Sequence, residues 1–219
     1  MLNIMKIAMF PGSFKPPHSG HLKVIETIMK KYKPDRFHII ISNKPRLLEE
    51  PYEKKLGQLS ELELEKIAKK YKIKNVSKKS IENAAVKKIV PAISPVVSIE
   101  LWKKYLALLP EKMREKVKIS ISNQPSPIMF AFVIIKSQVK KGDKLLLLKS
   151  EKDVDNKRFS IFDNLDAKKE EILIPTFKEF NSWQMRKAIA EKDWKKVEEF
   201  FPDGIDKKEL LNIIKNNIT

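Results

Sequence analysis

Residues 9–22 read Met9-Phe10-Pro11-Gly12-Ser13-Phe14-Lys15-Pro16-Pro17-His18-Ser19-Gly20-His21-Leu22. The apolar run that ends at Phe10 predicts a buried strand, and the apolar spacing from Leu22 onward predicts a helix. His18 and His21 therefore lie at a strand-to-helix junction, where the positive end of the helix dipole and free N–H groups favour an anion. Gly12 lacks a Cβ, so the backbone there can approach a ligand closely.

The rest of the chain alternates apolar, β-branched runs with helical patterns. Further strands are predicted at 36–42, 117–122, 144–148 and 172–175. Because runs that are apolar throughout are typical of parallel strands buried on both faces, we predict an α/β fold with a Rossmann-like, doubly wound parallel sheet. We expect one domain over residues 1–219, with a lysine-rich helical insertion at about 47–92 and a helical C-terminal tail at about 187–219.

The composition narrows the class of protein. The chain has 45 Lys and Arg against 28 Asp and Glu, a net charge of +17, which favours polyanions, nucleotides among them. Because the lysines are spread along the chain, any nucleic-acid binding is expected to be non-specific. There is no cysteine, and hence no disulfide or thiolate nucleophile. No apolar run approaches the ~20 residues of a membrane span and no signal pattern begins the chain, so we expect an intracellular, cytoplasmic protein without membrane contact.

The step His18-Ser19-Gly20-His21, preceded by Gly12-Ser13-Phe14, resembles the HxGH motif of the nucleotidylyltransferase superfamily. Pantetheine-phosphate adenylyltransferase, nicotinamide-mononucleotide adenylyltransferase and glycerol-phosphate cytidylyltransferase share this motif. The run Ser150-Glu151-Lys152-Asp153 is similar to one found in phage and large-virus members. The alternative for the first motif is an ordinary helix start with two solvated histidines.

The resemblance implies roles for named residues. His18 and His21 are expected to stabilise the transition state at the α-phosphate. The residues expected to bind the nucleotide are Phe10, Gly12, Ser13, Phe14, Gly20, Ser150 and Glu151.

A second motif, Asn181-Ser182-Trp183-Gln184-Met185-Arg186, resembles the superfamily's ISSTxxR motif in part. Asn181 or Ser182 is a good N-cap, so a helix is predicted to begin here. Ser182 and Arg186 match the motif and are implied to hold the β- and γ-phosphates, whereas Trp183 replaces a threonine. An ordinary amphipathic helix start is the alternative.

Lys44 and Arg46 follow the second strand, at the edge where parallel sheets bind ligands. The resemblance implies that they meet the phosphate of the second substrate, and a solvated basic turn is the alternative. We expect transfer of a nucleoside monophosphate, AMP before CMP, from a nucleoside triphosphate to a small phosphorylated acceptor, with release of pyrophosphate. Mg²⁺ is expected to bridge the triphosphate, and no protein ligand for a metal is predicted. The alternative is a degenerate member that binds nucleotide or nucleic acid with little catalysis.

Overall fold

The computed structural model describes residues 4–44, 46–48, 92–151, 157–175, 177 and 180–218. The first half contains β1 (Lys6–Gly12), α1 (Ser19–Tyr32), β2 (Arg36–Ile41), β3 (Arg46–Leu47), β4 (Ala92–Ile93), α2 (Pro95–Leu106), α3 (Glu111–Arg114) and β5 (Val117–Ile121). The second half contains α4 (Pro127–Lys136), β6 (Lys144–Ser150), a 3-10 helix (Ser160–Asn164), β7 (Lys168–Ile174), α5 (Ser182–Ala190), α6 (Trp194–Glu199) and α7 (Lys207–Asn217).

Five strands form one parallel sheet in the order β5-β2-β1-β6-β7, and β3 and β4 form a separate antiparallel pair. The chain runs outward from β1 through β2 to β5, and then crosses back to β6 and β7 on the other side of β1. The strand order therefore reverses next to β1, with β2 and β5 on one side of it and β6 and β7 on the other. In open parallel sheets, the crevice at the carboxyl ends of such a strand pair binds ligands.

Each face of the sheet is covered by helices. On one face, alternate strand residues such as Phe10 and Leu146 pack into a core with α1, α2 and the C-terminal helices. On the other face, Met9 and Leu147 pack against Ala131 of α4 and against the 3-10 helix. The structure thus confirms the predicted Rossmann-like, doubly wound parallel sheet with a helical C-terminal tail.

Element boundaries differ from the predictions where burial is one-sided or broken. β7 begins at Lys168, four residues before the predicted start at 172. It is an edge strand with Ile172 as its buried residue, so charged side chains occupy positions that a central strand fills with apolar ones. The tail forms three helices, and the predicted insertion at 47–92 lies, apart from its ends, outside the described residues. In the described parts of the chain, no helix combines the length and the apolarity needed to cross a membrane.

Candidate active site

A cavity of about 690 Å³ opens where β1 and β6 end, at the reversal point of the sheet. Most of the residues selected from the sequence line it, namely Phe10, Gly12, Ser13, Phe14, His18, Gly20, His21, Ser150 and Ser182. Glu151, Lys44, Arg46 and Arg186 are outside its lining. The fold therefore brings the first motif and part of the second to one cavity.

The two histidines of the first motif stack on each other. Their ring centroids are 3.7 Å apart and their planes are inclined by 25°. His18 is the N-cap of α1, and its backbone N–H donates to Nδ1 of His21 across 3.1 Å. Because Nδ1 accepts this bond, the neutral ring of His21 carries its proton on Nε2. His21 is thereby fixed as an Nε2–H donor.

Burial keeps both rings uncharged in the protein without ligand. It lowers the pKa of His18 to about 3. It also lowers the pKa of His21 well below its usual value, and the neighbouring His18 adds to that effect. Both rings are therefore neutral at pH 7, and an approaching polyanion would favour their protonation.

Gly20 makes room for the ring of His18. A Cβ at this position would lie 3.1 Å from Nδ1 of His18 and 3.1 Å from Cβ of Phe180. The ring of Phe180 lies 6.1 Å from that of His18, nearly parallel to it. A side chain at this position would require the ring of His18 and the Cβ of Phe180 to shift by a few tenths of an ångström, so the packing favours glycine between the two histidines.

Gly12 lines the cavity, and its lack of a side chain also makes room for Phe14. A Cβ there would lie 2.7 Å from Cζ of Phe14, so a ring of the same loop occupies the space next to this glycine. Close approach of a ligand to the backbone at Gly12 stays a prediction. Phe14 has a left-handed backbone conformation (φ 49°), and its side chain is buried. Its ring meets that of His21 edge-on, with the centroids 5.1 Å apart. Its ring supports the imidazole from behind.

The start of α1 offers fewer free donors than expected. The N–H of Ser19 donates to the carbonyl oxygen of Phe200 at 2.9 Å, and the N–H of His21 donates to that of His18 at 2.9 Å. These two groups are therefore not available to an anion. The attraction of this helix end for phosphate depends more on the histidine side chains and the helix dipole.

The second motif begins a helix, as predicted, with Asn181 as the N-cap that accepts from the N–H of Trp183 at 2.9 Å. Its polar groups bind the first loop. Oγ of Ser182 donates to the carbonyl oxygen of Pro16 at 3.3 Å. Nη1 of the buried Arg186 donates to that of Lys15 at 3.2 Å. In this structure, both side chains hold the backbone that leads to the histidines.

The residues predicted at the rim lie beside the cavity. Nε of Arg46 donates to Oγ of Ser13, a lining residue, across 3.2 Å. Lys44 is exposed at the end of β2, as is Glu151 after β6. Lys15 is buried beneath the loop, where it donates to the carbonyl oxygen of Ser42. Burial and the nearby Arg46 lower the pKa of Lys15 to about 7.

A family model described as cytidylyltransferase-like matches residues 9–119, which run from the first motif into β5 and make up just over half of the 219 residues. The chain belongs to the cytidylyltransferase-like family. TmcAL from Thermotoga maritima, solved with bound alpha-thio ATP, is a similar structure at 12% identity with a TM-score of 0.39. That similarity covers 98% of this chain and 56% of TmcAL, so this chain spans little more than half the length of that protein. A search of curated proteins finds no match.

The part matched by the cytidylyltransferase-like family ends before three lining residues that the sequence predictions missed. Arg158 lies after β6, with Nη2 at 3.5 Å from the carbonyl oxygen of Pro11. Phe177 and Phe180 lie between β7 and α5, with Nζ of Lys23 placed 4.8 Å from the ring centroid of Phe180. The basic pair Lys157-Arg158 on the connection that follows β6 was the available signal. The two aromatic residues lie in an irregular link where no periodicity marks them.

The described residues offer no metal pocket of their own. No group of three or more His, Asp or Glu side chains able to hold a metal ion is found among them, and the cavity lining that they form contains no carboxylate. Mg²⁺ prefers several oxygen ligands in octahedral geometry. The residues present therefore do not fit a metal held by the protein alone.

Proposed function

We propose that this cytidylyltransferase-like protein transfers a nucleoside monophosphate, AMP in preference to CMP, from a nucleoside triphosphate to a small phosphate-bearing acceptor. An acceptor oxygen attacks the α-phosphorus in line, the bond between that phosphorus and the bridging oxygen breaks, and pyrophosphate leaves with the electron pair. The stacked histidine pair on the cavity wall is the observation that carries the proposal. The preference for AMP follows the resemblance of the first motif.

His21 and His18 supply hydrogen-bond donors where charge grows during the transfer. His21 presents Nε2–H because its Nδ1 is occupied by the N–H of His18. A donor held in position before the reaction stabilises the transition state without reorganisation at that moment. Negative charge on the triphosphate would raise the pKa of both rings and strengthen their bonds.

The lining supports an acceptor that is already ionised. The described cavity walls carry no carboxylate that could remove a proton, and the pKa of His18 is lowered to about 3, so its ring is a weak base. A hydroxyl acceptor needs such a base. A phosphate monoester is already largely dianionic at pH 7 and needs none. Lys44 and Arg46, at the rim, are proposed to meet this second phosphate.

The remaining walls suit a nucleotide. The lining includes the apolar side chains of Val24, Ile174, Phe177 and Phe180, which suit a nucleobase. Ser182 lies in the wall and Arg186 behind the loop, and both are proposed to serve the distal phosphates. Mg²⁺ is proposed to arrive as part of the triphosphate substrate, since the described residues offer no pocket for it.

A nucleotide-binding protein with little turnover is the second candidate. Two observations favour it: Trp183 stands in place of a threonine, and Arg186 donates to the backbone of the first loop. Such a protein would keep the cavity and the histidine pair, and would lose the positioning of the leaving pyrophosphate.

The experiment has two stages. The melting temperature is first measured with ATP, CTP, GTP or UTP and Mg²⁺, because a ligand at 100 times its Kd adds about 2.7 kcal/mol to the free energy of unfolding. Pyrophosphate release is then measured with a panel of phosphate-bearing acceptors. His18→Ala is the site variant. His38→Asn is the matched control, because His38 is a buried histidine in β2 outside the cavity lining.

We expect ATP, and CTP to a lesser degree, to stabilise the wild type and His38→Asn but not His18→Ala. Pyrophosphate release with a phosphorylated acceptor would support the transferase. Stabilisation by a nucleotide, without release from any acceptor, would favour the binding protein. No stabilisation by any nucleotide at millimolar concentration would reject both candidates.

A further inference from the structure

The amino-terminal ends of the five parallel strands carry a row of cations, at the edge of the sheet opposite the candidate active site. The row consists of Lys6, Arg36, Lys116, Lys144 and Lys168, each at or directly before the start of a strand. Lys6 pairs in register with Lys144, which pairs with Lys168. Because neighbouring strands lie about 4.8 Å apart, the row spans about 19 Å across the sheet. We call it the strand-start row.

Loops at the same edge add further positive charge. Lys33 is the C-cap of α1, and Lys140 and Lys141 lie in the turn before β6; all three are exposed. Hydrogen bonds join these loops to the row. Nζ of Lys116 donates to the carbonyl oxygen of Pro34 at 3.4 Å. The row and these three lysines are called the basic edge.

Acidic residues at the basic edge compensate part of this charge. Exposed Asp35 accepts from the backbone N–H of Lys6 at 2.8 Å, and the exposed Glu115 and Asp166 lie next to β5 and β7. Asp143 is buried, and its carboxylate oxygens accept from the backbone N–H groups of Met5 and Lys140 at 2.9 and 2.8 Å. Glu170 pairs with Lys144. Among the described residues, no carboxylate lies within ion-pair distance of Nζ of Lys6 or Lys168. The basic edge therefore carries a clear excess of exposed positive charge.

The members of the strand-start row are about 30 residues apart in the sequence, where they look like dispersed surface lysines. A parallel α/β sheet returns to the same edge with each strand, and so the fold gathers them. Lys6, Lys116 and Lys168 are exposed, whereas Arg36 and Lys144 are half-buried, and the register places Arg36 on the opposite face of the sheet from Lys6. A band of cations along a sheet edge matches a polymer with regularly repeated anions. Insertion into lipid would require an extended apolar surface beside the charges, whereas Ile4 is a single exposed apolar residue that precedes Lys6 by two positions.

We propose that the basic edge binds the phosphate backbone of nucleic acid without reading its sequence. The lysine ammonium groups contact phosphate oxygens, which fix position and carry no sequence information. The candidate active site stays accessible, because it opens at the opposite ends of the strands. This surface acts independently of the proposed transferase reaction.

The test compares two variants with equal changes in net charge. Lys6→Glu, Lys140→Glu, Lys141→Glu and Lys168→Glu are combined in the edge variant. Lys103→Glu, Lys195→Glu, Lys196→Glu and Lys208→Glu, all exposed and on helices of one face of the sheet, are combined in the control variant. Binding of a fluorescent 20-nucleotide single strand of mixed sequence is measured by anisotropy from 50 to 300 mM NaCl. Circular dichroism and melting confirm that both variants are folded.

For the wild type, contact with four or five phosphates predicts a slope of log K against log[salt] of about −3. At 100 mM salt we expect the edge variant to bind at least tenfold more weakly and with a shallower slope, and the control variant to stay within about threefold of the wild type. A second single strand of scrambled sequence should bind equally well, and ATP should not compete.

Equal losses in the two variants would overturn the proposal, because binding would then depend on total charge. Absence of binding to the wild type at 50 mM salt would also overturn it. Association with vesicles that contain 30% anionic lipid, in a protein that does not bind the strand, would assign the basic edge to membranes instead.

Discussion

The loop of the first motif and the helix start of the second motif are in contact, but they face the cavity differently. His18 and His21 lie in the cavity wall. Ser182 and Arg186 direct their hydrogen bonds to carbonyl oxygens of the loop before those histidines. One region carries the groups suited to chemistry, and the other holds that region in place. Ser182 also lines the cavity, so the second motif borders the site and holds the first loop, whereas Arg186 lies outside the lining.

The largest expected effect tests the first region alone. His21→Asn keeps an acceptor near the Nδ1 position for the N–H of His18 but removes the Nε2–H donor, whereas His21→Gln restores a donor close to Nε2. Loss of one donor of this kind costs about 10²–10³ in kcat. We expect a loss of that size in His21→Asn and partial rescue in His21→Gln, measured as pyrophosphate release. Equal loss in both variants would show that the fixed tautomer of His21 is not what matters.

The next effect tests whether the second motif holds the first. Arg186→Met removes the charged donor from the carbonyl oxygen of Lys15, and a hydrogen bond to a charged group contributes about 1.5–3 kcal/mol. We expect the free energy of unfolding in urea to fall by that amount and turnover to fall with it. Lys187→Met is the matched control, since its exposed pair with Glu191 spans 3.8 Å and contributes little. Lost turnover with unchanged stability would place Arg186 at the phosphates alone.

How much of the fold was predictable depends on how each strand is buried. β1, β2 and β6 are apolar over most of their length because helices cover the sheet on both faces, and the starts of β2 and β6 were predicted at the observed residue. β5 is an edge strand in which apolar and polar residues alternate, and its start was also predicted at the observed residue. The first half of β7 carries charged side chains because it is exposed, so no apolar pattern predicted it. β3 and β4 have two residues each, too few for a periodic pattern.

The candidate site follows a similar division. Residues of the first motif are contiguous in sequence, so a local pattern identifies them together. Arg158 and Phe180 reach the same cavity from separate loops, and only the tertiary fold brings them there. The packing role of Gly12 also depends on a side chain two residues away, whose direction no spacing rule gives.

Acid pH should lower the free energy of unfolding through the histidines of the first motif. Arg186 of the second motif should add no pH dependence. The pKa of His18 is lowered to about 3 by burial, while in the unfolded chain it is about 6.5. Between these values the unfolded state binds the additional proton, so stability is complete above pH 6.5 and is lost as pH falls toward 3. From pH 6.5 to 5.5, His18 alone contributes a loss of about 1 kcal/mol, because its unfolded ring is half protonated at the upper pH and almost fully protonated at the lower.

The measurement is the urea unfolding free energy at pH 6.5 and 5.5. His18→Asn should reduce the pH dependence, and so should His38→Asn, since burial lowers the pKa of His38 to about 4. Arg186→Met should leave the slope unchanged, because its guanidinium stays charged over this range. A saturating nucleotide should remove the His18 contribution but not that of His38. An unchanged slope in His18→Asn would show that this ring does not titrate as its burial requires.

The smallest expected effect concerns Trp183, the residue at which the second motif departs most from its superfamily. Its backbone N–H donates to Asn181, a contact that survives any side-chain change, and its half-buried ring is not part of the cavity lining. Trp183→Thr should therefore shift the free energy of unfolding by less than about 1 kcal/mol. A restored hydroxyl could add one neutral hydrogen bond, worth roughly 0.5–1.5 kcal/mol, or about two- to tenfold in rate. Trp183→Val has the shape of threonine without the hydroxyl and is the matched control.

If pyrophosphate release is higher in the threonine variant than in both the valine variant and the wild type, this helix start contacts the phosphates. Equal release in all three would confine it to holding the loop, and a fall in both variants would show that the indole itself supports the site.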